Sequence, residues 1–81
     1  MKQKLYPFSA QKHAHDIDYR RNRAYNELMD GSKDANKLEA LIKKLDEIRT
    51  LMVGNQKVVW LTGPQYALAI DSVGWAQSQR S

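Results

Sequence analysis

The chain has 81 residues, no cysteine, thirteen lysines and arginines against nine aspartates and glutamates, and a formal net charge of +4. This length accommodates one hydrophobic core and excludes a second, and the missing cysteines exclude a disulfide framework or a thiolate metal site. A single small domain over 1–81 is expected, and its mild basic balance favours acidic partners, nucleic acid among them, without requiring them.

Residues 3–8 contain Pro7, which has no amide to give to a ladder, so they are predicted as an extended lead-in or an edge strand. The basic start is followed by Ser9, Gln11, Lys12 and His13 rather than by an apolar run, so no signal peptide is expected. No stretch reaches the roughly 18 consecutive apolar residues of a membrane span. The resulting expectations are no transmembrane segment and a cytoplasmic location.

Ser9 fits a helix N-cap, and from there Ala10, Ala14, Ile17, Arg21, Ala24 and Leu28 recur at spacings of four and three, with Tyr25 and Met29 widening the stripe. The pattern predicts a helix over 10–29, ended by Gly31 in the left-handed conformation that a Cβ disfavours. Ser32 is then placed to cap a second helix with Asp34 in its first turn. Leu38, Leu41, Leu45, Ile48 and Met52, flanked by Ala35, Ile42 and Leu51, predict that helix over 33–53, ended by Gly54-Asn55. Two helices of about 30 Å joined by about three residues imply an antiparallel hairpin.

Residues 57–61, rich in β-branched and aromatic side chains, predict a short strand. Its neighbour is either 3–8 of the same chain, making a two-stranded ribbon, or a strand across a dimer. Thr62 as N-cap, Pro64 in the first turn and Gln65 in capping-box position open a third helix over 64–78. Tyr66, Ala69, Ile70, Val73 and Ala76 share one of its faces, and the small Ala67 and Gly74 on a neighbouring face are expected to permit close helix approach. From 58 onward only Asp71 and Arg80 are charged, which suits packing rather than ligand contact. The fold class expected is mainly α, an antiparallel helical hairpin packed by a third helix, with a short strand or two-stranded ribbon.

Arg20, Arg21 and Arg23, with Lys12 on the same helix and Lys37 and Lys44 on the next, are the candidate nucleic-acid-binding residues, because guanidinium forks match phosphate oxygens. The competing explanation makes Asp16/Arg20 and Arg23/Glu27 ordinary surface pairs four residues apart. Arg21 interrupts the apolar stripe, so it is expected to reach past the seam, to meet a carboxylate, or to mark a binding point. His13-Ala14-His15-Asp16 has metal-ligand letters, but side chains two apart on a helix do not converge, and no metal site is expected. The chain has neither a nucleophile elbow nor a glycine-rich phosphate loop, so no enzyme activity, cofactor or small-molecule substrate is expected.

Trp60, Tyr66 and Trp75 are the candidate interface aromatics, since these residue types anchor partners, and Trp75, off the main stripe of the third helix, is the first choice among them for an exposed aromatic. The function expected is a small non-enzymatic protein–protein interaction or regulatory module able to self-associate as a homodimer. The alternative is a nucleic-acid-associated accessory protein that contacts the phosphate backbone through a basic helix face.

Overall fold

A computed structural model describes residues 3–54 and 57–80. In chain order the elements are β1 (Leu5–Ser9), α1 (Ala10–Met29), α2 (Ala35–Leu51), β2 (Val58–Thr62) and α3 (Gly63–Arg80). The predicted hairpin, third helix and ribbon are all present, and the ribbon forms within one chain.

Ser9 caps α1 by accepting from the Lys12 amide at 3.3 Å. At the other end Gly31 has φ +81, its amide reaches the Leu28 carbonyl at 3.1 Å, and the Ser32 amide reaches the Glu27 carbonyl at 3.3 Å. These two bonds are the Schellman arrangement, in which the left-handed residue and its successor satisfy the last carbonyls of the helix. Ser32 is thereby part of the stop of α1 and does not cap α2, contrary to expectation. Its hydroxyl accepts from the Asp34 amide at 3.2 Å, and Asp34 becomes the N-cap without a side-chain capping bond. Helix α2 consequently starts two residues later than the periodicity suggested. It ends before Gly54, which has φ +104; Asn55, the other half of the predicted stop, lies outside the described residues, as do Met1 and Lys2 of the basic start.

One register runs through the first four elements. The β1 and β2 strands are antiparallel with Leu5 opposite Thr62 and Ser9 opposite Val58. Across the helices Arg21 pairs with Asp46, and Asp18 accepts from Arg49 at 2.8 Å. Every one of these pairs is equidistant in sequence from the midpoint between Lys33 and Asp34, so a single reversal aligns both the helical hairpin and the ribbon. A ribbon continuing straight from α1 would add roughly 17 Å to a helix of roughly 30 Å. The longest dimension is 39 Å, so the ribbon folds back over the helices instead.

That return brings the inner face of the ribbon, Phe8, Val59 and Leu61, into the core with Ile17, Leu45 and Ile48. Ile17, Leu45, Ile48 and Leu61 are fully buried, each contributing about 1.5–3 kcal/mol of transfer free energy. Helix α3 opens with the predicted capping box: the Thr62 amide donates to Gln65 Oε1 at 3.1 Å and the Gln65 amide to Thr62 Oγ1 at 3.4 Å. It runs antiparallel to α1, since Arg20 meets Asp71 while Arg80 returns to Asp16, and it touches α1 more extensively than α2.

The buried face of α3 is Ala69, Ser72, Val73 and Ala76. Ala67 and Gly74 are exposed, with open space around Gly74, so the expected close approach through those two residues does not occur. Ile70, assigned to the packed face, is also exposed. The buried face takes in Ser72 instead, whose hydroxyl is internally satisfied: it donates to the Leu68 carbonyl at 2.7 Å and accepts from Arg20 at 3.1 Å, so a small polar side chain enters the seam without an unmet donor.

Candidate interaction surface

The six basic candidates divide by what holds them. Arg20 donates to Asp71 at 2.7 Å and to Ser72, and its guanidinium lies 5.7 Å from the centre of the Trp75 ring. It therefore ties α1 to α3. Arg21 donates to Asp46, and that hydrogen bond, opposed by partial burial and reinforced by the charges of Asp46 and Asp18, holds its pKa above the ordinary arginine value. Arg21 thus meets a carboxylate, the second of its three predicted fates. Lys12, Arg23, Lys37 and Lys44 are exposed. By the hairpin register Lys12 is level with the end of α2 and Lys37 with the end of α1, roughly 27 Å apart along the axis. They do not form one compact stripe.

The surface pair Asp16/Arg20 is not formed. Asp16 is 4% exposed and accepts from Arg80 on α3, while its other oxygen stands 3.3 Å from His13 Nδ1. A buried carboxylate needs such partners, because desolvation penalises its charge. Arg80 also covers the Tyr19 ring at 5.9 Å, and Tyr19 lies 5.7 Å from Trp75. The polar and aromatic groups between α1 and α3 form a connected internal network, and among the described residues no buried side-chain nitrogen or oxygen lacks a partner. His15 is exposed while His13 faces Asp16, and among the described residues no three histidine, aspartate or glutamate side chains converge on a point.

The three interface candidates also separate. Tyr66 stacks on Tyr6 with ring centres 5.2 Å apart, and Trp75 lies between Tyr19 and Arg20. Trp60 is 59% exposed. Strand alternation explains why: Val59 and Leu61 point into the core, so Val58, Trp60 and Thr62 occupy the outer face of the ribbon, with Ser9, Pro7 and Leu5 opposite them in that order. Leu5, Pro7, Val58 and Trp60 are all exposed, so most of that face is apolar, with the half-buried Ser9 and Thr62 at two of its corners. The period-two pattern of residues 57–61 contained the signal for Val58 and Trp60. Leu5 and Pro7 could be added only once the register was known.

A second bare surface lies along the hairpin. Tyr25, Leu28 and Ile42 floor an open groove of about 400 Å³ edged by Glu39, Lys43 and Asp46. Beyond it Met29 is 70% exposed. The stripe on α1 was expected to be buried through Tyr25 and Met29, but both are exposed, and the residues lining the groove all belong to α1 and α2. Among the described residues no helix is long and apolar enough to cross a membrane. Comparisons with protein-family models, with curated proteins and with solved structures found no match to this chain.

Proposed function

We propose that the protein is a small protein–protein interaction module that docks through the outer face of its ribbon, with Trp60 as the anchoring side chain. The observation that carries this reading is a large aromatic residue, 59% exposed, centred in an apolar strand face. Exposed tryptophan and leucine on a rigid strand offer large contact area with little rotamer entropy to lose, which is the composition of interface anchors. The helices supply the platform: α1, α2 and α3 hold the inner face of the ribbon and leave the outer face free.

The nucleic-acid reading has weaker support. It relied on Arg20 and Arg21, whose guanidinium groups are engaged by Asp71 and Asp46, and the remaining basic side chains are spread along the hairpin. A photoreactive amino acid placed at position 60 decides between them. The interaction reading expects adducts with polypeptide, reduced when Leu5 and Val58 are both replaced by glutamate. Adducts with nucleic acid alone, or none, would overturn it. Failure to bind a duplex or single strand near 50 mM salt, where phosphate contacts are strongest, would remove the alternative.

A further inference from the structure

The ribbon has two edges, and only one of them is protected. Pro7 sits opposite Trp60 and has no amide hydrogen, so this position cannot exchange both bonds of a hydrogen-bonded pair. The ladder bonds accordingly fall on the flanking pairs, Tyr6 with Leu61 and Phe8 with Val59. Along β1 the amides and carbonyls of the alternate residues face the outer edge, and there Pro7 blocks further pairing. Along β2 the residues facing outward from the ribbon are Val58, Trp60 and Thr62. Thr62 is withdrawn from pairing, because its amide is bound to Gln65 as part of the α3 cap. Among the described residues β2 has no strand beyond it, so Val58 and Trp60 each turn an N–H and a C=O outward, and the strand from Val58 to Thr62 contains no proline and no charge to discourage an incoming strand.

We propose that this edge pairs with the same edge of a second copy of the chain; the inference rests on the interaction reading and names a second copy as partner, meeting β2 at its edge beside Trp60 while the outer face stays open. In antiparallel register about Val59, Val58 lies opposite the partner's Trp60 and Trp60 opposite the partner's Val58. The four free donors and four free acceptors of the two edges then satisfy one another in four hydrogen bonds, with none left over and none needed from the capped Thr62. The two-stranded ribbon becomes a four-stranded antiparallel sheet, and each Trp60 packs beside a valine on the continuous outer face. Charge favours a second copy at this edge in particular. Two chains of net charge +4 repel generally; β2 itself carries no charge and none follows it before Asp71, so Lys57 at its start is the one charge each copy brings beside the seam.

The area sets the strength. Leu5 sits on β1, a strand away from the seam, so the exposed fractions of Trp60 and Val58 leave on the order of 200 Å² of apolar side-chain surface per copy beside it. A stable interface removes about 800 Å² per partner, so the pairing is a weak, concentration-dependent dimer rather than an obligate one.

Sedimentation equilibrium over a wide concentration range, together with amide hydrogen exchange, tests the pairing. The average mass should climb from one chain toward two. Exchange of the Val58 and Trp60 amides should slow with concentration, while the Val59 and Leu61 amides, already bonded to β1, stay unchanged. Val58→Pro removes one outward amide without touching a bond to β1, as Pro7 does on the other strand. It should raise the dimer dissociation constant roughly tenfold or more with the far-ultraviolet dichroism unchanged. Trp60→Glu should do the same. A strict monomer, a dimer without slowed exchange at Val58 and Trp60, or a folded Val58→Pro variant that associates like the parent chain would each overturn the proposal. If that variant fails to fold, the exchange pattern of the parent chain still decides. A strict monomer whose position 60 crosslinks to another polypeptide refutes self-pairing alone. Loss of every polypeptide adduct refutes the wider reading with it.

Discussion

Asp16 and Arg80 give the sharpest energetic test, because burial divides their ion pair unequally. The Asp16 side chain is 6% exposed and that of Arg80 47%. Removing the arginine strands a desolvated carboxylate that keeps only His13, whereas removing the aspartate frees a guanidinium that turns to water. An exposed pair contributes roughly 0–1 kcal/mol, and a charged acceptor left short of a buried partner costs about 1–3 kcal/mol. Discounting for the half-exposed arginine, Arg80→Ala should destabilise the chain by about 1–2 kcal/mol, roughly 4–16 °C in melting temperature for a domain of this size. In an Asp16→Ala background the same change should cost under about 0.5 kcal/mol, the share left to its contact with the Tyr19 ring. Urea unfolding followed by circular dichroism on the four chains of this double-mutant cycle yields the coupling directly. An equal cost of Arg80→Ala in both backgrounds would refute the account of a buried carboxylate sustained from α3.

Gly31→Ala should cost about 1 kcal/mol in the same assay, since φ is +81 and nothing lies within 4 Å of the added carbon, leaving backbone strain as the only penalty; a neutral result would contradict the helix stop. Leu45→Ala, at a fully buried position in the core cluster that ribbon and helices share, should cost about 2–5 kcal/mol, comparable with the whole stability of a small domain. Its amide spectrum should lose dispersion, and a well-dispersed native spectrum would count against the core assignment. For Arg21, whose pKa is raised first by the hydrogen bond to Asp46, the contribution is fully present below the ordinary arginine range and is lost only as pH rises through the still higher folded value. Stability lost on Arg21→Met should therefore be constant from neutral to mildly alkaline pH, which paired pH titrations of unfolding would check.

Local order was written in short-range chemistry. Ser9, Gly31 and the Thr62/Gln65 box announce their helix ends because capping involves residues at most five apart. The stripes on α1 and α2 are legible because a helix repeats its core face every three or four residues. The error at Ser32 has the same origin, since one residue was eligible for two neighbouring caps and only the geometry of the turn selects between them. At the candidate surface, the period of two puts Trp60 with Val58 on one strand face, but helical spacing favoured Trp75 as the exposed aromatic, and that ring is instead held between Tyr19 and Arg20.

What the sequence determined alone is thus the set of elements, the single reversal at Gly31, and the alternation that puts Val58 and Trp60 on one strand face. The tertiary structure decided which faces are covered. It set the fold-back of the ribbon and the side of α3 that enters the core, and the capture of Arg20 by Asp71 and of Asp16 by Arg80 joins residues 51 and 64 positions apart. Such contacts leave no periodic trace in the chain, because their geometry is set by packing between elements and not by the repeat within any one of them.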